Sequence, residues 1–282
     1  MNFKLRQSGQ SCGATISNFC ISRDILPHQT EEIRNAWLKH KVLAFEDQVI
    51  DDDCLEAFTI AMGGFGEDPF FSPIPGRKHI ASIKREADEK SPLFAENWHS
   101  DWSFLQNPPA GTCLLAIDIP SKGGDTLFAN QAAAFEDLPS SKKDFLRGLN
   151  AIHSAQLAYA PEGTYGEKDY GRSMEIHASE RARETQVHPL VKRHPETGEE
   201  VIFSTLGYII GIEGFSHGEA IELLSEIADH QTQEKYIYRQ KWEPGMLVMW
   251  DNRSLLHKAT GGYEGQRREL HRTTIAAFQG II

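Results

Sequence analysis

The sequence predicts a mainly β fold with flanking helices, built around a double-stranded β-helix, or jelly roll. Short extended runs recur along the chain with turn signals between them, and only a few helical patterns interrupt them. No repeat, low-complexity tract or interdomain linker divides the chain. At 282 residues and 40% hydrophobic content it is long enough to bury one sizeable core, so we read a single domain over 1–282.

The elements follow in order. Thr30 to His40 has Ile33, Ala36 and Trp37 at helical spacing, with Thr30 as the expected cap. Lys41 to Phe45 is a continuous apolar run that suits a buried strand. Asp51 to Met62 resumes the helical period through Leu55, Phe58 and Thr59 until Gly63-Gly64 stops it. From 66 to 97 the periodicity fades among four prolines, a long irregular stretch of the kind that forms lids. Thr112 to Ile117 is a strand, and the turn Pro120 to Asp125 delivers Thr126 to the next extended run. Ala132 to Leu149 is helical, interrupted at Pro139. The segment 156–186 is rich in Gly, Tyr and charge, and is expected to be a second lid with few buried apolar contacts. Val187 to Thr205 reads as a hairpin across Pro195 to Gly198, and Ser216 with Glu219 forms a capping box ahead of a helix. Lys235 to Trp242, Met246 to Trp250 and Leu270 to Phe278 are strand-like.

Composition narrows the function. With 40 acidic residues against 29 Lys and Arg, the net charge is -11, which argues against an extended nucleic-acid surface and leaves room for a local cationic pocket. Four cysteines without CxxC spacing do not describe a disulfide scaffold and suit reduced thiols in a cytoplasm. The start lacks the apolar core of a signal peptide and no stretch reaches membrane-span length, so the expected setting is cytoplasmic with no membrane partner. Homo-oligomerisation is left open. Asp51, Asp52 and Asp53 are expected to be solvated charges beside a helix start.

The chemistry is carried by polar stations scattered along the chain: His99, Asp101, Thr126, His257, Arg268 and Arg272. A His and a carboxylate two residues apart on an extended segment share a face. One distant His can then complete a facial triad. Two histidines and a carboxylate leave three positions of an octahedral Fe(II) open, which suits a metal that must take a bidentate co-substrate and O2. Alone, His99-Ser100-Asp101 would also suit a strand with a structural hydrogen bond, and Arg268 a surface ion pair with Glu264 or Glu269.

At these residues the chain resembles the taurine dioxygenase and chlorophenoxyacetate dioxygenase family of Fe(II)- and 2-oxoglutarate-dependent enzymes. The resemblance runs through Val42 to Gln48, Trp98-His99-Ser100-Asp101, Gly123-Gly124-Asp125-Thr126 and His188-Pro189-Leu190. It is most specific from Trp250-Asp251-Asn252-Arg253 through His257 to Arg268 and Arg272. It implies His99, Asp101 and His257 as iron ligands, and Arg268, with Thr126, as the holder of the distal carboxylate of 2-oxoglutarate. A guanidinium fork matches a carboxylate, and a hydroxyl satisfies a remaining lone pair. Arg272 lies on the Arg268 face by even spacing, with Arg267 turned the other way. The resemblance makes Arg272 the holder of the substrate's anionic group, so the partner is a small organic acid bearing a carboxylate, sulfonate or sulfate. Asn97, Trp102 and Phe104 flank the metal motif and are the expected pocket walls. Taurine-cleaving relatives carry a sulfonate-binding His shortly after the position of Phe65-Gly66; this chain reads Phe70-Phe71 there, which disfavours taurine and favours a bulkier or more apolar acid. His79 is the nearest imidazole.

The implied reaction couples decarboxylation of 2-oxoglutarate by O2, giving succinate and CO2, to hydroxylation of the substrate, with bond cleavage where the oxidised carbon bears a heteroatom. The Asp101 carboxylate speaks against a halogenase. Two rivals are a metal-binding jelly roll without catalysis and a zinc hydrolase. Neither explains Arg268 and Thr126 together.

Overall fold

A computed structural model describes residues 3–277. The first half comprises β1 (Lys4–Gln7), β2 (Ala14–Ser17), α1 (Pro27–His40), β3 (Val42–Phe45), α2 (Asp52–Met62), β4 (Ala81–Arg85), β5 (Gly111–Asp118) and β6 (Thr126–Asn130). There follow α3 (Gln131–Glu136), α4 (Ser140–Arg147), β7 (Asn150–Ser154), α5 (Gln156–Tyr159), β8 (Thr185–Pro189), β9 (Val191–Arg193), β10 (Glu200–Ile202) and β11 (Ile209–Ile212). The chain closes with α6 (His217–Gln231), β12 (Ile237–Gln240), β13 (Leu247–Asp251), β14 (Leu255–Ala259) and β15 (Arg268–Ile275).

Seven strands form the major sheet in the order β1-β2-β3-β13-β5-β15-β4, antiparallel except for the β2–β3 pair. A second sheet, β12-β6-β14, faces it. Side-chain alternation explains the layering. In β3, β5 and β13 one set, Val42, Ala44, Leu114, Ala116, Val248 and Trp250, meets Phe128, Tyr238 and Leu255 of the second sheet. The opposite set, Leu43, Phe45, Cys113, Leu115, Leu247 and Met249, packs on Ile33 and Trp37 of α1 and Leu55, Phe58 and Met62 of α2. Both faces of these strands are therefore buried, which is why they read as apolar runs. The expected mainly β architecture with a jelly-roll core holds. A further sheet, β11-β7-β8, packs with α3 and α6 around a separate cluster, and β9 and β10 form the expected hairpin. Among the described residues no helix is long and apolar enough to cross a membrane.

Several expectations need correction. Helix α1 starts at Pro27 rather than at a Thr30 cap; proline suits the first helical turn, and the Gln29 side chain accepts from the Leu26 N–H at 3.0 Å. The irregular stretch 66–97 contains a strand, β4, paired along β15. Segment 156–186 is not poor in buried apolar contacts: Ala158, Tyr159, Met174 and Ala182 join Phe70, Phe71, Trp102 and Phe104 in an aromatic cluster. Of the acidic run, Asp51 caps α2 by accepting from Cys54 N–H, but Asp52 bonds His271 and Asp53 pairs with Arg23 and Arg77. Strand β15 ends at Ile275, and Phe278 lies outside the described residues.

Candidate metal centre and anion pocket

The chain crosses the open end of the two facing sheets at Trp98 to Trp102. His99 pairs there with His257 of β14 in an isolated bridge, His99 N–H donating to His257 O at 3.0 Å and the reverse bond at 2.7 Å. Asp101 is not on a strand, as the sequence suggested. It opens a tight turn in which Trp102 takes a left-handed backbone (φ 48°), a conformation rare for a bulky residue and found where a functional geometry is imposed. The turn brings the carboxylate back under both rings. Asp101 Oδ1 lies 3.7 Å from His99 Nε2 and 3.6 Å from His257 Nε2, and the three donors form a group able to hold one metal ion.

The surroundings leave the donors ready. His99 Nδ1 bonds the Asn97 carbonyl at 2.8 Å, which puts the proton on Nδ1 and the Nε2 lone pair toward Asp101. Asn97 thus serves through its backbone, while its exposed side chain lines a neighbouring cleft. Burial lowers both imidazoles, His257 to about 3, so both are neutral near pH 7. Burial opposes ionisation of Asp101, but Arg272 and the two imidazoles outweigh it and hold the carboxyl at about 2. Its Oδ2 accepts from the Thr112 hydroxyl at 2.5 Å. Thr112 in turn accepts from Asn252 Nδ2 at 2.9 Å, and Trp250 Nε1 donates to Asn252 Oδ1 at 2.8 Å. Thr112, Asn252 and Trp250 have no side-chain role legible in the sequence, although the block Trp250 to Arg253 carries part of the resemblance.

The triad opens into a cavity of about 710 Å³, counted to its open mouth, whose lining includes His99, Asp101, His257, Thr126, Arg268 and Arg272. Strand β15 turns Arg268, Leu270 and Arg272 inward, as the even spacing predicted, and Arg267 outward to Asp118, Glu86 and Glu269. It is Arg267, not Arg268, that pairs with Glu269. Arg268 is buried, makes no ion pair among the described residues, and has one hydrogen bond, from Nη2 to Gly124 O at 3.3 Å; its Nε has no partner. Gly124 (φ +72°) is required for this, because a Cβ there would stand 3.2 Å from Arg268 Nε, and Gly123 would drive one into the Gly262 carbonyl. The Thr126 hydroxyl accepts from Trp242 Nε1 at 3.0 Å, so its own proton is free to donate. Trp242, which also places its ring 5.8 Å from the Arg268 guanidinium, was missed in the sequence because nothing local links it to either partner.

Arg272 is also buried, with the rings of Phe71 and Trp102 5.1 and 5.0 Å from its guanidinium carbon. Trp102 and Phe104 therefore do not line the cavity; they belong to the aromatic cluster behind it. His79 is exposed and stacked on Phe65 at 4.0 Å, outside the site. His188 bonds the Leu105 carbonyl and His271 bonds Asp52, away from the triad. Leu93, Phe94, Ala95, Met174 and Tyr263 are among the cavity's apolar wall residues.

The two segments read as lids meet over this cavity. Buried Glu89 accepts from the Ser173 N–H at 2.9 Å and from Arg85 at 3.3 Å. Arg172 Nη2 donates to Pro92 O, Ser91 Oγ to Tyr170 O, and Ala95 N–H to the Tyr165 hydroxyl.

Comparison with known proteins gives one consistent picture. The family model described as taurine catabolism dioxygenase TauD, TfdA family matches residues 4–274. An alpha-ketoglutarate-dependent sulfate ester dioxygenase of Pseudomonas putida is 30% identical over 267 residues, covering 94% of this chain and 86% of that protein. An alpha-ketoglutarate-dependent 2,4-dichlorophenoxyacetate dioxygenase of Burkholderia sp. (strain RASC) is 32% identical over 277 residues, 92% of this chain and 89% of that protein. The crystal structure of a taurine dioxygenase from Burkholderia xenovorans superposes with a TM-score of 0.81 at 27% identity, covering 99% of this chain and 92% of that one.

Proposed function

The chain belongs to the taurine catabolism dioxygenase TauD, TfdA family, and on that footing we propose the assignment of its site residues to the reaction of an Fe(II)- and 2-oxoglutarate-dependent dioxygenase. The enzyme oxidises a small anionic organic substrate and forms succinate and CO2 from 2-oxoglutarate, alpha-ketoglutarate in the relatives' names. Those relatives act on sulfate esters and 2,4-dichlorophenoxyacetate; they support neither a zinc hydrolase nor a metal-binding protein without catalysis.

His99, Asp101 and His257 hold the metal. The donor set fits: two neutral imidazoles and an ionised carboxylate turned toward one another, of the kind that leaves one side of an octahedral ion free. When bound, Fe(II) supplies the activation of O2 and the redox chemistry. Arg268 and Thr126 bind the distal carboxylate of 2-oxoglutarate, the guanidinium as a buried cation with no ion-pair partner among the described residues and the threonine through its free hydroxyl proton. The Asn97 carbonyl orients His99, and the chain Trp250–Asn252–Thr112 fixes Asp101. Arg272 anchors the primary substrate's anionic group, with Leu93, Phe94 and Met174 beside its body. The cross-linked segments 66–97 and 156–186 act as lids that exclude water during the reaction.

One observation carries this reading: a buried arginine without a counter-ion shares a cavity with a metal-binding triad. The test is Fe(II)-dependent succinate release from 2-oxoglutarate with a panel of carboxylates, sulfonates and sulfate esters. Stimulation by at least one acid is expected. Absence of turnover together with absence of 2-oxoglutarate binding would overturn it.

A further inference from the structure

The loop after Phe65-Gly66, where taurine-cleaving relatives carry a sulfonate-binding imidazole, brings a carboxylate instead. Asp68 Oδ2 lies 3.5 Å from Arg272 Nε, while Arg272 Nη2 lies 3.3 Å from Asp101 Oδ2. Both Asp68 oxygens are buried without a hydrogen-bond partner of good geometry, and Arg272 is the one cation in ion-pair range of Asp68 among the described residues. Asp101 is turned toward the two imidazoles and is committed to the metal; Asp68 has no such second charge to balance it. Asp68 does not line the cavity, so a substrate does not touch it. Its influence passes through Arg272 and through space.

An anion approaching Arg272 meets a guanidinium whose charge is already shared between two carboxylates. One negative charge can still be held there, because Arg272 lines the cavity and its Nε and Nη2 face Asp68 and Asp101 only at ion-pair range, without a well-aligned hydrogen bond. A second negative charge gains little from the same guanidinium and is repelled by Asp68. We propose that Asp68 is a specificity-determining residue that, acting through Arg272, restricts the substrate headgroup to a single negative charge, as in a carboxylate, sulfonate or sulfate monoester, and excludes phosphonate and phosphate-monoester dianions. This rests on the reading of Arg272 as the substrate anchor. At an effective dielectric constant of about 20, a second unit charge several ångströms from Asp68 alters binding by roughly tenfold to hundredfold.

The test compares sulfonates and phosphonates of the same carbon skeleton, alkyl and aryl, at pH 9, where the phosphonate is largely a dianion. Dissociation constants are measured by calorimetry on the anaerobic Fe(II)- and 2-oxoglutarate-loaded enzyme, and kcat/KM by succinate release. Wild type is expected to favour the sulfonate by at least tenfold, and Asp68→Asn to narrow that ratio by at least tenfold. Asp68→Ser repeats the measurement with a smaller neutral side chain. A purely structural role would weaken both anions together and leave the ratio unmoved; a ratio within threefold of wild type in both variants overturns the proposal while the anchor reading stands. Binding of the phosphonate only after the charge is removed supports it even without turnover. Failure of every protein to bind either anion defeats the anchor reading and the proposal with it.

Discussion

Replacing Arg268 by methionine separates a binding role from a structural one, because the two predict opposite signs. In the protein without 2-oxoglutarate, Arg268 is a buried cation with one long hydrogen bond and no carboxylate. Burial lowers its pKa, as expected of a charge held away from water. An apolar side chain of similar length removes that cost, so Arg268→Met should unfold at the same temperature as wild type or higher. Binding should suffer. Truncating one partner of a buried charge pair costs about 3–5 kcal/mol, which weakens 2-oxoglutarate by roughly 10²- to 5 × 10³-fold. The thermal shift is the convenient assay: at a ligand concentration about 100 times the wild-type Kd, binding stabilises by about 2.7 kcal/mol, and the variant should lose nearly all of it. Calorimetry under anaerobic Fe(II) gives the constants directly. An Arg268→Met protein that melts several degrees below wild type yet binds 2-oxoglutarate within threefold would show the residue to be structural.

Three more outcomes follow from the same geometry. Burial, opposed by Arg272 and reinforced by Asp101, pushes the Asp68 carboxyl up to about 6. The folded chain therefore holds this proton more tightly than the unfolded chain, and the penalty of ionising Asp68, absent below about pH 4, grows as pH rises and is complete above about pH 6. Asp68→Asn should accordingly raise stability at pH 8 by roughly 2–3 kcal/mol and by about half as much at pH 5, measured by denaturant melts; equal effects at both would refute this. Asp251 is fully buried, accepts from His194 at 2.9 Å and from Arg253 through its N–H, Nε and Nη2, and ties the β9–β10 hairpin to the end of β13. Asp251→Ala should cost about 3–5 kcal/mol and lower Tm by about 10 °C; a loss under 1 kcal/mol in a denaturant melt would contradict it. Glu89→Ala removes the acceptor that joins the two lid segments, and limited proteolysis should then cut within 86–92 or 165–175 at least tenfold faster; an unchanged rate would mean that the other cross-links suffice.

What the sequence could show was local. The capping box at Ser216 and Glu219, the apolar runs of β3 and β13, and the shared face of Arg268 and Arg272 all depend on spacing within a few residues, and the structure reproduces each. The edge strand β4 was missed because only Ala81 is buried, so it carries no alternation. Strand β14 was missed because Leu255, Leu256 and His257 are buried in succession and mimic no period. The apolar contacts of segment 156–186 come from one short run, Ala158 to Ala160, and from single residues, Met174 and Ala182, set among polar turns. At the site, the residue types that bind a metal or a carboxylate stood out from their chemistry. Their supports did not: Thr112 reaches Asp101, Trp242 reaches Thr126 across 116 positions, and Asp68 reaches Arg272 across 204 positions. Such partners are defined by the fold, and no pattern along the chain marks them.

The central claim, that two imidazoles and a carboxylate share a metal beside an arginine-bound keto acid, is met most directly by a crystal structure of the chain with Mn(II) and N-oxalylglycine, an oxygen-inert mimic of the iron–2-oxoglutarate pair. The account predicts one ion bonded to His99 Nε2, His257 Nε2 and an Asp101 oxygen, with the analogue's far carboxylate on Arg268 and Thr126. An ion bound elsewhere, or a far carboxylate remote from Arg268, would contradict it.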